Sequence, residues 1–115
     1  MQVFFESRDP EGAQLRDLAV RRARFAMRRL NWLVPRARVR LSDVNGPRGG
    51  LDKRCQVELN TEGAGTVLIT AQAGDWRSAL DSAMARAARS LAHSWQRSQR
   101  PTRPRQRDSE QPSMP

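Results

Sequence analysis

The chain of 115 residues has no tyrosine, one cysteine, one histidine and one lysine. Each scarcity closes a class of chemistry. A single Cys55 cannot form an internal disulfide, and one cysteine with one histidine falls short of the ligand set of an ordinary zinc site. No metal and no cofactor are expected. No apolar run approaches the ~20 residues of a membrane-spanning helix, and the start, MQVFFES, lacks the basic-then-apolar layout of a secretory signal, so a cytoplasmic location is expected. Catalysis also finds little to work with. Cys55 falls in the middle of a strand pattern, pointing inward as a small hydrophobe, and His93 falls on the outer side of a helix, so the two should not meet as nucleophile and base. GPRGG, Gly46 to Gly50, runs from one strand into another with no helix behind it, which makes it a hairpin loop rather than a phosphate cradle. Asp43 and Asp52 bracket that loop as turn-edge acids. An enzyme is not expected.

What the chain has in plenty is arginine, twenty against the one lysine. The stretch Arg16 to Arg40, RDLAVRRARFAMRRLNWLVPRARVR, holds nine arginines and one acid, Asp17, and so carries +8 of the formal net charge of +9. The planar, five-donor guanidinium suits phosphate oxygens and stacked bases. With a pI near 11.6, the composition points to a polyanionic partner, nucleic acid first among them. Mean hydropathy is low at −0.77, but the apolar residues fall in periodic blocks, so a small core with a polar tail is expected.

In chain order, Gln2 to Glu6 reads as a strand with Val3 and Phe5 on one face and Phe4 on the other. Ser7 to Gly12 supplies helix-starting residues, and a helix is expected from Glu11 to Leu33. Its inner stripe is Leu15, Ala19, Ala23, Ala26, Leu30 and Leu33. Arg21, Arg24 and Arg28 lie opposite, with Arg22 and Arg29 flanking the stripe. Pro35 closes this segment. RARVRLSDV alternates Ala37, Val39 and Leu41 with Arg36, Arg38 and Arg40, a half-buried strand. KRCQVELN, Lys53 to Asn60, is a third strand with Cys55, Val57 and Leu59 inward. EGAG, Glu62 to Gly65, is a short hairpin loop, and TVLITAQA, Thr66 to Ala73, is a fourth strand with Val67, Ile69 and Ala71 inward. Asp75 caps a last helix whose stripe is Leu80, Met84, Ala87, Leu91 and Trp95. From Ser98 the chain turns to Ser, Gln, Arg and Pro, too polar to offset the cost of ordering it, so a disordered tail is expected over residues 98–115 after one domain over residues 1–97. The order β-α-β-β-β-α implies an α+β two-layer sandwich, with two helices on one face of a four-stranded sheet, strands one and two parallel and the rest antiparallel.

Two helix faces then stand out. Arg21, Arg24 and Arg28 have no acid one turn away except Asp17 below Arg21, so their mutual repulsion is uncompensated within the helix. On the last helix Arg86, Arg89, His93 and Arg97 align at i, i+3, i+7 and i+11. Unpaired cations of this kind suit phosphates. Arg36, Arg38 and Arg40 either extend that surface or guard the sheet against edge pairing. Of the tryptophans, Trp95 is read as core, Trp76 as packing under the helix start, and Trp32 as packing, with base stacking as its alternative.

The order of elements, QLRDLAVRR after MQVFFES, and DWRSALDSAMARAARSLAHSWQR after the last two strands together resemble the short ribosome hibernation factors. These are the hibernation-promoting factor and ribosome-associated inhibitor A group, formerly linked to sigma-factor modulation. The resemblance covers residues 1–97. It implies the same β-α-β-β-β-α fold and a non-enzymatic protein that binds the small ribosomal subunit where mRNA and tRNA pass, silencing translation under stress. It implies rRNA contacts at Arg16 and Arg22 in the first helix and at Arg86, Arg89 and Arg97 in the second, with His93 standing where a lysine is common. Joined with the helix-face reading, the expected rRNA-binding set is Arg16, Arg21, Arg22, Arg24, Arg28, Arg29, Arg86, Arg89, His93 and Arg97. A nonspecific RNA-binding module and a protein-interaction regulator are the alternatives.

Overall fold

The computed structural model describes residues 1–44 and 52–99. The GPRGG loop and the expected tail beyond Gln99 lie outside the described residues. Four strands, β1 (Gln2–Ser7), β2 (Arg36–Asp43), β3 (Lys53–Asn60) and β4 (Thr66–Ala73), form one sheet in the order β1-β2-β3-β4. β1 and β2 pair in parallel, with Val3 opposite Ala37 and Phe5 opposite Val39. The other two pairs are antiparallel. The α+β sandwich read from the sequence is the architecture seen.

Alternation decides which face of the sheet is covered. Ala37, Val39 and Leu41 of β2 and Cys55, Val57 and Leu59 of β3 are fully buried, while their neighbours point to the opposite side. Against this inner face lies α3 (Trp76–Gln99), which packs over β3 and β4. Its buried residues, Trp76, Ala79, Leu80, Ala83, Met84, Ala87 and Leu91, repeat at three- and four-residue spacing and form the apolar stripe of a helix. Trp95, one turn on, is half-buried. Asp75 caps α3: its two carboxylate oxygens accept from the Ser78 amide at 2.8 Å and the Ser78 hydroxyl at 2.9 Å. The backbone donor holds the Asp75 carboxyl below its usual range.

The first helix departs from expectation. Instead of one rod from Glu11 to Leu33, the chain makes a short α1 (Pro10–Ala13), a longer α2 (Arg16–Ala26) and a 3-10 turn at Asn31–Leu33. The cause at the N-terminal end is close packing. Gly12 is buried, and a Cβ there would stand 2.5 Å from the Ser7 hydroxyl and 3.5 Å from both Leu41 and Trp76, so α1 is pressed against the sheet and cannot run on in line with α2. At the C-terminal end the hydrogen bonds shorten to i→i−3, from Leu30 to Met27, Leu33 to Leu30 and Val34 to Asn31. Tightening turns each residue by ~120° instead of ~100° and shifts the stripe. Met27, still bonded to Ala23 one α-turn back, is fully buried in line with Ala19 and Ala23, while Ala26 and Leu30 are only partly covered. Ala19, Ala23 and Leu33 are buried as expected.

The hairpin between β3 and β4 turns on Gly63 and Gly65, whose φ angles of 90° and 81° favour glycine. Thr61 staples that loop, its hydroxyl donating to the Gly65 carbonyl and accepting from the Ala64 amide.

Candidate nucleic-acid interface

The helix layer presents most of the expected cations. α2 lies over β1 and α3 over β3 and β4, and the two helices run side by side in the same direction, since Arg22 meets Asp81, Arg29 shares a cleft with Arg89, and Trp32 touches Trp95. The ten residues do not form one compact cluster. They spread across the width of the layer in three groups.

On the β1 side, Arg24 donates to the Met1 carbonyl at 3.3 Å, and the Arg16 guanidinium lies 5.4 Å from the centre of the Phe5 ring. At the seam between the helices, Arg22 pairs with Asp81 at 3.2 Å. Further along the same seam, Arg28, Arg29 and Arg89 border a cleft of about 260 Å³ whose walls are mostly alanine, leucine and methionine. On the β4 side, Arg89, His93 and Arg97 line an open groove of about 440 Å³ against Thr66 to Ile69 of the edge strand. Arg86 reaches over that edge and donates to the Thr70 carbonyl at 2.8 Å, occupying an acceptor that an added strand would use. Arg21 is exposed, and no ion pair joins it to Asp17 among the described residues.

Partners, more than positions, set the electrostatics of this layer. Of the ten residues, only Arg22 is in an ion pair among the described residues. Several acids stand near the end of the molecule where α3 begins. Glu11 accepts from the Trp76 indole at 3.0 Å, and the lone lysine, Lys53, sits between Asp43 at 2.8 Å and Asp52 at 3.6 Å. The Asp43 hydrogen bond raises the Lys53 pKa above its ordinary value. The chain thus has an acidic end around its only lysine and a helix layer populated by unpaired arginine.

Three further placements bear on chemistry. Cys55 is fully buried, and desolvation pushes its thiol up to about 12, the reverse of an activated nucleophile. His93 is exposed on α3, facing the groove. Among the described residues no group of acid, histidine and cysteine side chains could hold a metal ion, and no helix is long and apolar enough to cross a membrane.

Two exposed aromatics lie beyond the expected set. Phe25 is 66% exposed and Trp32 58% exposed, both on the arginine-bearing segment. Trp32 is therefore not the packing residue expected. It meets Trp95 edge-on, with ring centres 4.9 Å apart at 89°, and its indole nitrogen donates to the Arg29 carbonyl at 3.2 Å, but much of the ring faces solvent. The signal that could have found this was the position of Phe25 and Trp32 off the centre of the apolar stripe.

No protein-family model and no curated protein sequence matches the chain. Solved structures do. A ribosomal subunit interface protein from Coxiella burnetii superposes with a TM-score of 0.63 at 13% identity, over 81% of this chain and 96% of that one. The fold is that of the ribosomal subunit interface proteins. The N-terminal domain of Protein Y from Thermus thermophilus matches with a TM-score of 0.61 at 19% identity, over 81% of this chain and 98% of that one. The resemblance to ribosome hibernation factors carried by QLRDLAVRR and the α3 segment holds in three dimensions, at the level of the interface-protein fold.

Proposed function

We propose that this protein is a ribosome-associated translation inhibitor. Its helix layer grips rRNA phosphates of the small subunit and excludes mRNA and tRNA from their channel by occupying it, with no chemical step. The observation that carries the reading is the helix layer itself, where eight of the nine arginines of the expected set have no acidic partner among the described residues. Holding unpaired like charges on adjacent helices is unfavourable for the free protein, and a polyphosphate backbone relieves it by releasing counterions. The likeness of the fold to a ribosomal subunit interface protein and to the Protein Y N-terminal domain supports the ribosome as the source of that polyanion.

Arg86, Arg89, His93 and Arg97 would form one grip along the groove, and Arg16, Arg21, Arg24, Arg28 and Arg29 a second along α2 and the turn after it, with Arg22 between them. The domain over residues 1–97 would suffice for binding, residues 98–115 would extend from it, and the place of work would be the cytoplasm. Sedimentation of lysate through a sucrose gradient at low salt tests the proposal. The protein should travel with the small subunit and with whole ribosomes and leave them as salt is raised. A protein that stays at the top of the low-salt gradient refutes the ribosomal reading.

A further inference from the structure

Phosphate binding alone explains the arginines but not the two aromatic rings held out among them. Phe25 and Trp32 stand 66% and 58% exposed, a costly placement for large apolar side chains on a surface meant only for charge. Arg28 is stacked on Phe25, its guanidinium 4.2 Å from the ring centre and held there by a 2.8 Å bond from Nη1 to the Phe25 carbonyl. Trp32 is fixed by its indole bond to Arg29 and by its edge-on contact with Trp95; perpendicular rings cannot stack on each other, and the exposure of Trp32 leaves ring surface open. The cleft of about 260 Å³ runs between this segment and α3, apolar on its walls at Leu30, Ala88 and Ala92 and cationic at its rim through Arg28, Arg29 and Arg89. Trp32 and Trp95 are not among its lining residues; they follow Leu30 by two residues and Ala92 by three in the chain.

Unpaired guanidinium groups with an exposed aromatic ring a few residues away match one kind of polyanion better than another. Duplex nucleic acid offers its phosphates but keeps base faces stacked inside, whereas a single strand or loop offers both. We infer that an unpaired RNA base stacks on the exposed face of Trp32, with the flanking phosphates on Arg28, Arg29 and Arg89. This rests on the rRNA reading above and sharpens it, because it names unpaired RNA as the element gripped at the seam of the helices.

The test compares polyanions of equal charge. Fluorescence anisotropy would measure binding of the full chain to a single-stranded RNA of about ten nucleotides, to a ribose-phosphate oligomer of the same length without bases, to a blunt RNA duplex, and to polyglutamate as an acidic polypeptide. The base-bearing strand should bind about tenfold tighter than the abasic oligomer. Trp32→Leu should remove that preference while leaving the abasic oligomer bound as before, and Trp32→Phe should keep most of it. Thermal unfolding checks that both variants fold, as the exposure of Trp32 leads one to expect. Equal binding of base-bearing and abasic strands by the unaltered chain overturns the inference, as does a preference that survives Trp32→Leu, or polyglutamate binding as tight as RNA. A chain that sediments with small subunits yet ignores bases loses this inference alone. One that binds none of these polyanions and does not sediment loses the ribosomal reading too.

Discussion

The two outer surfaces of the molecule are both rich in arginine and differ in what stands beside it. On the solvent face of the sheet, Arg40 is ion-paired with Glu6 of β1 at 3.5 Å, Arg38 stands in register with Glu58 of β3, and Arg54 donates to Ser42 at 3.2 Å. On the helix layer only Arg22 finds an acid among the described residues. Equal composition therefore gives unequal potential. Strand register brings acids from other strands across the sheet arginines, while side-by-side helices bring mainly more arginine. Of Arg36, Arg38 and Arg40, which the sequence left between binding and edge protection, Arg38 and Arg40 read as balanced, while Arg36 stands opposite Gln2 and Asn60.

The sharpest way to break this contrast is charge reversal on each surface in turn. Arg86, Arg89 and Arg97 replaced together by glutamate should weaken ribosome co-sedimentation more than about a thousandfold, since three phosphate contacts become three repulsions. Arg36, Arg38 and Arg54 replaced together by glutamate should change it by no more than a few fold. If the sheet variant loses as much as the helix variant, the two surfaces act as one and the contrast is lost.

Stability should separate the two faces of the same sheet. Leu59 is fully buried against the helices, and Leu59→Ala should cost about 2–5 kcal/mol in denaturant unfolding. Leu68, in the next strand and 58% exposed on the outer face, should cost about 0.5 kcal/mol or less as Leu68→Ala. A large loss at Leu68 would mean that the outer face is covered in solution. Next in size is the salt dependence of ribosome binding. Arg89→Ala should lower the slope of log affinity against log salt by about one, and Arg40→Ala, which removes an already paired cation, should leave it unchanged.

Much of this was legible from the sequence, and what was not has a physical reason in each case. Period-two alternation in RARVRLSDV and KRCQVELN placed Ala37, Val39, Cys55 and Val57 inside, because a strand's facing depends only on its own parity. The α3 stripe was as plain, ending in a half-buried Trp95. The first helix was not. Its break at Gln14 and Leu15 follows from Gly12 pressing against Ser7 and Trp76, contacts supplied by distant elements. Met27, one α-turn after Ala23, joins Ala19 and Ala23 in the core, and the tightening that ends the helix comes after it. For the interface, the arginines were countable but their partners were not. The pairing of Arg22 with Asp81 joins two helices 59 residues apart in the chain, and the spread of ten cations into three groups depends on how those helices lie.

That pair offers the finest test, because it is the one place where the helix layer behaves like the sheet face. Arg22 and Asp81 are each about half exposed, and the ion pair between them contributes at most about 1 kcal/mol. Asp81→Ala should therefore lower stability by only about 0.5 kcal/mol, read in denaturant unfolding. It also removes the acid that pairs with Arg22 at the seam of the helices and frees a guanidinium there, so ribosome affinity at low salt should rise a few fold, and the gain should fade as salt is added. Asp81→Asn keeps a polar partner of the same shape without the charge and should reproduce the affinity gain. If both variants bind as the original chain does, Arg22 already releases Asp81 when the partner arrives. If they bind more weakly, Asp81 is holding Arg22 in the orientation the partner needs, and the one paired arginine of the layer is a positioned contact instead of a neutralised one.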